Sequence, residues 1–462
     1  MSAFVTLLAD RGGMMFRLAN HQNRILSLME DRNSLGIFAE AGTGKTMIAL
    51  TWVYDRLISG EIENVLVICP KSLIGSWNAA IDKMALFGYS DFEIGLVKDA
   101  ITLVSYNSVW IRNKSFARKK GTHKYEIRPV LNHGWGAIFC DESHRLGDPT
   151  SVQTTVILRM TGLTRHRFVM SGTPDNGRYV KLYGQLKFIE PTLFADYRQF
   201  DRRYVLAKDF FDNPVKYDSD ALESLKKEYG AVARLKECYD MPGSTDTDIP
   251  LSLTAEARMM YVGILKKQLE DLNFDNAGTS TMKLYQVCSG FYYDSEKNPK
   301  VFPTAKTDAL MEIIDGRDGK VVIFALYTQS LDLICENLSR KKITYLRFDS
   351  TVKDPVWKDF QSDPGIKVFV TQYQKGSEGI DLYAADCMVF YEPTPSPYNL
   401  EQAKARIMRK GQEKHCTYYF LYIQDTIEEK RMRSVRNGVD ESRRLADEWA
   451  EEERQKWLLN EK

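Results

Sequence analysis

A glycine-rich segment, Ala39-Glu-Ala-Gly-Thr-Gly-Lys-Thr46, has the residue types and spacing of a phosphate-binding loop. Gly42 and Gly44 allow backbone N–H groups to point into one concavity, and the helix predicted to follow favours an anion at its N-terminus. The lysine can reach a phosphate chain, and the threonine hydroxyl suits Mg²⁺, which needs few protein ligands. Because Ala39 stands where the strict pattern has glycine, a turn without a ligand is the alternative. The segment predicts an ATP and Mg²⁺ site made by Glu40, Ala41, Gly42, Thr43, Gly44, Lys45 and Thr46.

An acidic pair, Asp141-Glu142, follows an apolar run that predicts a buried strand over 137–140. In a parallel sheet this pair would lie at the same carboxyl edge as the phosphate loop. Asp141 suits a metal ligand held through water, and Glu142 suits the group that orients and deprotonates the attacking water. Alone, such a pair is as often a solvated turn or a helix cap. With the phosphate loop it predicts ATP hydrolysis, in which Lys45 and Glu142 are catalytic.

Three polar residues in the second half of the chain, Gln402, Arg406 and Arg409, are spaced four and three residues apart. This spacing predicts that they share one face of a helix. Arginine can pair with phosphate oxygens and stabilise transition-state charge, although a solvated basic face is the alternative. Because the second half has no phosphate loop of its own, we predict that both arginines complete the ATP site of the first half as catalytic residues, with Gln402 beside the nucleotide.

Short apolar runs alternate with helical patterns twice along the chain, which is typical of parallel sheets flanked by helices. The runs cover 35–38, 65–69, 101–104, 137–140 and 168–170, and then 321–325, 368–370, 388–391 and 417–421. They predict an α/β fold with two tandem RecA-like lobes, residues 1–200 and 301–425. Residues 201–300 are predicted as a mainly helical insert or bridge. Residues 426–462 are predicted as a charged C-terminal helix that lays Leu445, Trp449 and Trp457 on the body.

The composition is that of an ordinary globular protein of two or three domains, with 462 residues, 44% of them apolar and 27% charged. The net charge of +1 provides no global basic field, so contacts with nucleic acid must come from local patches. The seven cysteines include no CxxC pair, which argues against a zinc site or a disulfide framework. The sequence shows neither a membrane-spanning run nor a secretion signal, and we expect a reducing, cytoplasmic location.

Further motifs accompany these three in a regular order. The first half carries Gln22, Pro70-Lys-Ser-Leu-Ile-Gly-Ser-Trp77, Asp141-Glu-Ser-His-Arg-Leu146, Ser171-Gly-Thr-Pro174 and Leu182-Tyr-Gly-Gln-Leu-Lys-Phe188. The second half carries Val322-Ile-Phe-Ala-Leu-Tyr-Thr-Gln329, Gly376-Ser-Glu-Gly-Ile-Asp-Leu382, the arginine segment and Thr426-Ile-Glu-Glu429. From about Phe16 to Glu429 the chain resembles the Swi/Snf-type ATPases of helicase superfamily two, and the combined motif set is highly specific.

The resemblance implies a double-stranded DNA translocase, which steps along one strand of the duplex as its lobes open and close and typically does not separate the strands. Gln22 looks like the glutamine that reads adenine. Gly379 and Asp381 would lie where the second lobe meets nucleotide and DNA. The residues expected to link the ATP state to lobe movement are His144, Ser171 and Thr173.

Two positions depart from the family pattern. Asp381 stands where asparagine is usual, and Asp349-Ser350 stands near the usual Asp-Gly, which weakens the predicted nucleotide or DNA contacts at those points. The inserts between motifs are short and we find no chromatin-reading module, which disfavours nucleosome remodelling. The compact form looks like that of bacterial or phage members, and we expect a monomer.

Candidate DNA contacts follow predicted strand ends in both lobes: Lys71, Ser72, Ser105 and Lys375. A separate basic run could line a phosphate track or form a solvated surface loop, and it comprises Arg112, Lys114, Arg118, Lys119, Lys120, Lys124 and Arg128. Three tryptophans could stack on bases, although such isolated aromatics are more often core residues: Trp52, Trp77 and Trp110.

These patterns together predict an ATP- and Mg²⁺-dependent motor on DNA that prefers duplex to single strands. Two alternatives remain open. A strand-separating helicase would share every ATPase residue but would need a wedge between the strands. An ATP-gated DNA-binding or loading factor would bind DNA without directional movement.

Overall fold

The computed structural model describes residues 18–456 except 85–88, 113–123, 176–177, 209–213, 267–276, 295, 297, 353, 355, 377–379, 439–447 and 454. The chain divides into two compact units, Met1–Asp240 and Met241–Lys462. Each unit is built on one six-stranded sheet.

The described part of the first unit contains ten strands: β1 Ser34–Ala39, β2 Val65–Cys69, β3 Ile101–Ser105, β4 Trp110–Arg112, β5 Tyr125–Ile127, β6 Ala137–Asp141, β7 His166–Met170, β8 Val205–Lys208, β9 Pro214–Tyr217 and β10 Gly230–Ala233. Six of them form a parallel sheet in the order β10-β1-β7-β6-β2-β3. The pairs β4–β5 and β8–β9 are antiparallel.

Side chains of the central strands in this sheet alternate between two apolar cores, one on each face. In β2, Val65 and Val67 belong to one core, and Leu66 and Ile68 belong to the other. Because both faces are covered, the strand is apolar at every position rather than at every second one. Polar chemistry in this unit must therefore come from the strand ends and the loops that follow them.

Nine helices flank the sheet in the described part of the first unit: α1 Asn20–Asp31, α2 Lys45–Ile58, α3 Ile74–Asp82, α4 Asp91–Ala100, α5 Val152–Arg159, α6 Val180–Ile189, α7 Tyr197–Tyr204, α8 Ser219–Glu228 and α9 Leu235–Cys238. Helix α2 begins directly after Gly44, and its Trp52 is fully buried. The ring centroid of Trp52 lies 4.8 Å from that of Phe168 and 5.9 Å from that of Phe139. Trp52 is therefore a core residue that fixes α2 to the sheet.

The described part of the second unit contains eight strands: β11 Ser244–Leu251, β12 Phe291–Tyr293, β13 Pro299–Val301, β14 Lys320–Ala325, β15 Tyr345–Phe348, β16 Val368–Gln372, β17 Ala385–Phe390 and β18 Cys416–Ile423. Its sheet is parallel, in the order β11-β18-β17-β14-β16-β15. The described helices are α10 Ala255–Lys266, α11 Ala277–Cys288, α12 Ala305–Asp315, α13 Thr328–Arg340, α14 Trp357–Ser362, α15 Tyr373–Gly376, α16 Pro397–Lys404 and α17 Ile427–Arg436.

The predicted α/β fold with two RecA-like lobes is confirmed, and every predicted strand is present. Three strands of the two sheets were not predicted: β10, β11 and β15. All three are edge strands. Edge strands are shorter, more polar or more exposed than central ones, so a search for apolar runs passes over them.

The segment 201–300 differs from its prediction as a mainly helical insert or bridge. It is divided between the two units, and it contributes β10 to the first sheet and β11 to the second. It also contains the antiparallel pair β8–β9. The prediction missed β11 because its sequence is Ser-Thr-Asp-Thr-Asp-Ile-Pro-Leu, which is mostly polar and largely exposed. It nevertheless forms an eight-residue strand that pairs with β18.

In the C-terminal segment, α17 ends at Arg436, and a further helical stretch covers 448–453. Trp449 packs against an apolar cluster that includes Tyr261 and Ile264 of α10. Leu445 and Trp457, the other two residues of the predicted stripe, lie outside the described residues. Among the helices described here, none is long and apolar enough to cross a membrane.

Candidate active site

The phosphate-binding segment forms a tight loop between β1 and α2. Gly42 and Gly44 both have a φ of +85°, a left-handed conformation that would strain any side chain. Lys45 Nζ donates to two carbonyl oxygens at the start of the loop, at 2.8 and 3.3 Å. The buried hydroxyl of Thr43 donates to the carbonyl of Glu40 at 2.7 Å. The loop is thus held in shape by its own side chains.

Two further predicted residues of the loop have different surroundings. The carboxylate of Glu40 accepts a hydrogen bond from the N–H of Leu235 at 2.8 Å, so this side chain ties the loop to α9. The carboxylate of Glu40 is therefore engaged in a structural contact. Ala41 and Thr46 are half-buried, and Thr46 lies in the first turn of α2.

Gln22, the predicted adenine-reading residue, lies on α1 against the phosphate loop. Its Nε2 donates to the carbonyl of Thr43 at 3.0 Å, and its Oε1 accepts from the N–H of Ala19 at 2.9 Å. A Cβ atom added to Gly44 would come within 2.2 Å of Gln22 Nε2. Gln22 therefore contacts the loop backbone directly, and glycine at position 44 is favoured by its φ, while a larger residue there would also displace the end of the Gln22 side chain.

Asp141 ends β6 and is buried, with both carboxylate oxygens hydrogen-bonded. Oδ2 accepts from Trp77 Nε1 at 2.9 Å, and Oδ1 accepts from the N–H of Glu142 at 2.9 Å. The hydroxyl of Tyr106 donates to the carbonyl of Asp141 at 2.8 Å. Burial, and then the Glu142 carboxylate, raise the pKa of Asp141 to about 6, whereas the Trp77 indole and Lys45 lower it. Asp141 and the phosphate-loop lysine therefore interact electrostatically.

Glu142 and the coupling candidates form a chain of contacts between the ends of β6 and β7. Glu142 has a φ of +50°, which is unusual for a residue with a side chain. Its Oε2 lies 3.3 Å from Nδ1 of His144, which in turn lies 3.3 Å from the hydroxyl oxygen of Ser171. The N–H of Thr173 donates to the same hydroxyl oxygen at 3.2 Å. The structure thus brings the predicted water-orienting residue and all three coupling candidates together.

Behind this chain lies a second, fully buried connection. The hydroxyl of Ser143 donates to Gln185 Oε1 at 2.7 Å, and Gln185 Nε2 donates to the carbonyl of Pro174. Both side chains have no exposed surface. Gln185 belongs to α6, so this helix contacts the loops that follow two strands of the sheet.

Sequence reasoning did not assign Trp77, Tyr106 and Gln185 to the site. Trp77 was predicted as a core or base-stacking residue, and it is buried, but its indole N–H serves Asp141. The position of Trp77 at the end of the Pro70–Trp77 motif, which follows a strand of the same sheet, could have indicated that it contributes to the site. Tyr106 directly follows β3, which is the corresponding signal for that residue.

The DNA-contact candidates of the first unit lie just after β2 and at the end of β3, which are neighbouring strands. Lys71 and Ser72 are exposed, and Ser105 is half-buried with its hydroxyl 2.7 Å from that of Ser108. In the basic run, Arg112, Lys124 and Arg128 are exposed. The other members of that run, Lys114, Arg118, Lys119 and Lys120, lie outside the described residues.

The arginine segment of the second unit is helical only at its beginning, which corrects the prediction of one helical face. Helix α16 ends at Lys404, so only Gln402 lies within it. The carbonyl of Arg406 accepts from the N–H of Leu382 at 3.0 Å, so a tertiary hydrogen bond replaces the next helical one. The chain then turns, and the spacing of four and three residues loses its helical meaning.

The side chains of this segment nevertheless converge. Arg406 is buried and donates to Gln402 Oε1 at 2.7 Å. Both Arg406 and Arg409 donate to the carbonyl of Ile380, at 3.3 and 3.4 Å. Arg409 also forms an ion pair with Asp381, and its side chain is 24% exposed. Of the two arginines, Arg409 is the more accessible.

Three other positions of the second unit complete the predicted set. Lys375 is half-buried, with its ammonium 5.0 Å from the ring centroid of Phe348. Asp349, one of the two departures from the family pattern, is buried and accepts hydrogen bonds from Thr351 and Arg347. Gly379 lies outside the described residues.

The residues present fit a magnesium–nucleotide group at the edge of the first sheet. Asp141 is a buried carboxylate with a raised pKa beside Lys45, which is an environment that a bound cation would relieve. Because both of its oxygens already accept a hydrogen bond, contact through a metal-bound water suits it better than a set of direct protein ligands. A bound Mg²⁺ would neutralise charge on the phosphates, and Glu142 would be the residue to take a proton from water.

Two family models match the chain: the SNF2-related domain over residues 21–287, and the helicase conserved C-terminal domain over residues 305–411. The chain is 25% identical to the DNA repair and recombination protein RAD54-like of Gallus gallus, over 85% of this chain and 61% of that protein. It is 24% identical to the ISWI chromatin-remodeling complex ATPase ISW1 of Saccharomyces cerevisiae, over 90% of this chain and 38% of that protein. The chain thus spans less than two thirds of the length of these relatives.

Among solved structures, the Sulfolobus solfataricus SWI2/SNF2 ATPase core in complex with dsDNA is similar with a TM-score of 0.42 and 19% identity. The similarity covers 98% of this chain and 97% of that chain.

Proposed function

Because the chain belongs to the SNF2-related family, we propose that it is an ATP hydrolase that works as a motor on double-stranded DNA. Lys45, Thr46 and Asp141 hold ATP and Mg²⁺, and Glu142 orients and deprotonates the attacking water. The observation that carries this proposal is the geometry at one edge of the first sheet. There the phosphate loop lies beside a buried aspartate, and the following glutamate contacts a histidine linked to the next loop.

Duplex DNA is the proposed track. Lys71 and Ser72 follow β2, and Ser105 ends β3, so these polar side chains lie at the same sheet edge as the ATP site. Contacts of this kind hold the phosphate backbone without reading bases, as movement along DNA requires. The names of the relatives, a DNA repair and recombination protein and a chromatin-remodeling ATPase, agree with a DNA substrate.

The second lobe, in this proposal, closes over the first during each ATP cycle. Arg409 is the better candidate to reach the phosphates, because it is partly exposed and held by a surface ion pair that can be exchanged. Arg406 is buried and bonded to Gln402, so it supports the segment that presents Arg409. Lys375, Gly379 and Asp381 are proposed to contribute to the nucleotide and DNA contacts of this lobe.

The proposed setting is a reducing cytosol, in a bacterium or a phage-infected cell, with the protein acting as a monomer. All seven cysteines are free, and six of them are buried, which agrees with a reducing compartment. Size-exclusion chromatography coupled to light scattering would test the monomer directly.

The experiment that tests the function is steady-state ATP hydrolysis measured without nucleic acid, with single strands, with a fork and with blunt duplexes of increasing length. Glu142→Gln serves as the blank, because it keeps the size of the side chain but removes the base. We expect this variant to bind a fluorescent ATP analogue normally and to turn over at least about 100-fold more slowly. Near-normal hydrolysis by the variant would contradict the role of Glu142.

The expected result for the unmodified protein is strong stimulation by duplex that increases with duplex length, since a moving enzyme hydrolyses ATP until it reaches an end. Stimulation by duplex of any length to the same extent would indicate a loading factor. Preference for single strands or forks would indicate a strand-separating helicase. A lack of response to every nucleic acid would overturn the proposed substrate.

A further inference from the structure

Helix α6 packs unusually closely on the turn that follows the catalytic acidic pair. A Cβ atom added to Gly184 would come within 2.1 Å of the carbonyl oxygen of Leu146. A Cβ atom added to Gly147 would come within 2.4 Å of Cγ of Lys181. The backbone of α6 and the backbone of the turn therefore touch, and a movement of either one is transmitted to the other.

One polar side chain of α6 crosses this contact. Gln185 Oε1 accepts the hydroxyl proton of Ser143, with the two oxygens 2.7 Å apart. Gln185 Nε2 donates to the carbonyl of Pro174 and, at 2.8 Å, to the carbonyl of Lys181 in its own helix. The side chain thus joins the turn after β6 to the loop after β7, and none of its surface is exposed.

Burying the polar atoms of Gln185 and Ser143 costs free energy unless each of them forms a hydrogen bond. The neighbours of Gln185 on α6, Leu182 and Leu186, are fully buried apolar residues, so an aliphatic side chain would fill the position without the cost of desolvating an amide group. The parallel contact between His144 and Ser171 is longer, at 3.3 Å, and the side chain of His144 keeps 10% exposure. The dry connection through Gln185 is therefore the stiffer of the two.

We propose that Gln185 is a positioning residue for ATP hydrolysis, and this inference rests on the proposed function. Acting through Ser143, it holds the turn in which Glu142 keeps its left-handed backbone. Acting through Pro174, it holds the loop that carries Ser171 and Thr173. The turn after β6 and the loop after β7 then move together, so that a displacement at the ATP site also displaces the loop that carries Ser171 and Thr173.

The test compares Gln185→Met, Ser143→Ala and the double variant in the full-length protein. Methionine has nearly the same shape as glutamine but offers no donor or carbonyl acceptor. For Gln185→Met we expect a kcat for duplex-stimulated hydrolysis lower by roughly tenfold, with KM for ATP unchanged within about twofold, because the phosphate loop is untouched. For Ser143→Ala, which leaves the bond to Pro174, we expect a loss of roughly threefold in kcat.

The double variant separates positioning from stability. The hydroxyl of Ser143 also lies 3.1 Å from the carbonyl oxygen of Met170, which remains an acceptor in Gln185→Met but loses its donor in the double variant. The melting temperature of the double variant should therefore be lower than that of Gln185→Met. Its kcat should stay as low as that of Gln185→Met. A kcat that falls further in step with the melting temperature would show a merely structural role and would overturn the inference.

Ser289→Ala is the matched control, because Ser289 is also fully buried, and its hydroxyl donates to the carbonyl of Tyr285 at 3.1 Å, in the second unit. It should lose stability but keep kcat. A Gln185→Met enzyme with the same kcat as this control would refute the positioning role. If Gln185→Met does not fold, an unchanged kcat in Ser143→Ala refutes it instead. Failure of the proposed function is distinct, because then the unmodified protein itself would show no stimulation by duplex.

Discussion

At the scale of single residues, the environment of Asp141 explains how a carboxylate can be buried at the edge of a sheet. Trp77 and the N–H of Glu142 each bond one of its oxygens, and Tyr106 bonds its carbonyl. These bonds and Lys45 offset part of the desolvation, but the pKa of the carboxyl remains raised. In the metal-free protein, the carboxyl of Asp141 therefore ionises at a higher pH than it would in the unfolded chain, so the stability of the protein depends on pH.

The first prediction concerns pH and stability without Mg²⁺. Since the folded pKa of Asp141, about 6, lies above the unfolded value of 3.8, its stabilising contribution is present at low pH and lost as pH rises through 6. Asp141→Asn cannot ionise and lacks this loss. In urea titrations with EDTA, the free energy of unfolding of the variant relative to the unmodified protein should increase between pH 5 and pH 7, by on the order of 1 kcal/mol. A difference that does not vary with pH would contradict the assignment.

The second prediction concerns Arg409. Arg409→Ala should bind ATP with normal affinity, because Lys45 and Gln22 are unchanged, but its turnover should fall by roughly 10³-fold if the guanidinium stabilises transition-state charge. Lys410→Ala, the exposed neighbour, provides the control and should hydrolyse ATP normally. Unaltered turnover in Arg409→Ala would remove Arg409 from the catalytic set.

At the scale of elements, close backbone approaches determine how the loops are arranged. Helix α6 contacts the turn after β6 because glycine at positions 147 and 184 leaves room for it. In the second unit, α16 ends at Lys404, and beyond its end the carbonyl of Arg406 accepts a hydrogen bond from the N–H of Leu382, which fixes this segment against the chain before β17. In both places a tertiary contact, rather than helix propensity, decides where a functional side chain lies.

The third prediction follows from the α6 contact. Gly184→Ala places a methyl group against a backbone carbonyl that cannot rotate away, so we expect a melting temperature lower by roughly 5 °C or more. Gly162→Ala is the control, because no atom lies within 4 Å of its added Cβ. Differential scanning fluorimetry of the two variants decides the matter, and equal melting temperatures would show that α6 can shift without cost.

At the scale of the whole molecule, the two units share one plan and differ in chemistry. Each has a parallel six-stranded sheet covered on both faces, but the phosphate loop occurs only after β1 of the first. A chain with one nucleotide loop and a second lobe of the same fold suits the proposed motor, in which one lobe holds ATP and the other responds to it.

The fourth prediction tests movement rather than hydrolysis. A third strand bound in the major groove of a duplex should be displaced when ATP and Mg²⁺ are present, while the two strands of the duplex stay paired. Glu142→Gln should displace nothing. Gel electrophoresis separates the possible products, and release of a duplex strand would favour strand separation over translocation along intact duplex.

The amino-acid sequence by itself determined the fold class, the central strands and the order of the motifs. These are local signals: β2 is apolar at every position because both of its faces are covered, and the spacing of Gly42, Gly44 and Lys45 predicted the tight loop between β1 and α2. Asp141 and Glu142 could be predicted for the same reason, since they directly follow an apolar strand.

The tertiary structure alone decided the rest. The edge strands β10, β11 and β15 are defined by their partners and not by their own apolar content. The boundary at Asp240, the end of α16 and the roles of Trp77 and Gln185 depend on contacts between residues far apart in sequence. Such contacts produce no periodic pattern in the sequence, because each joins two segments at a single point. The two segments come close only when the chain folds.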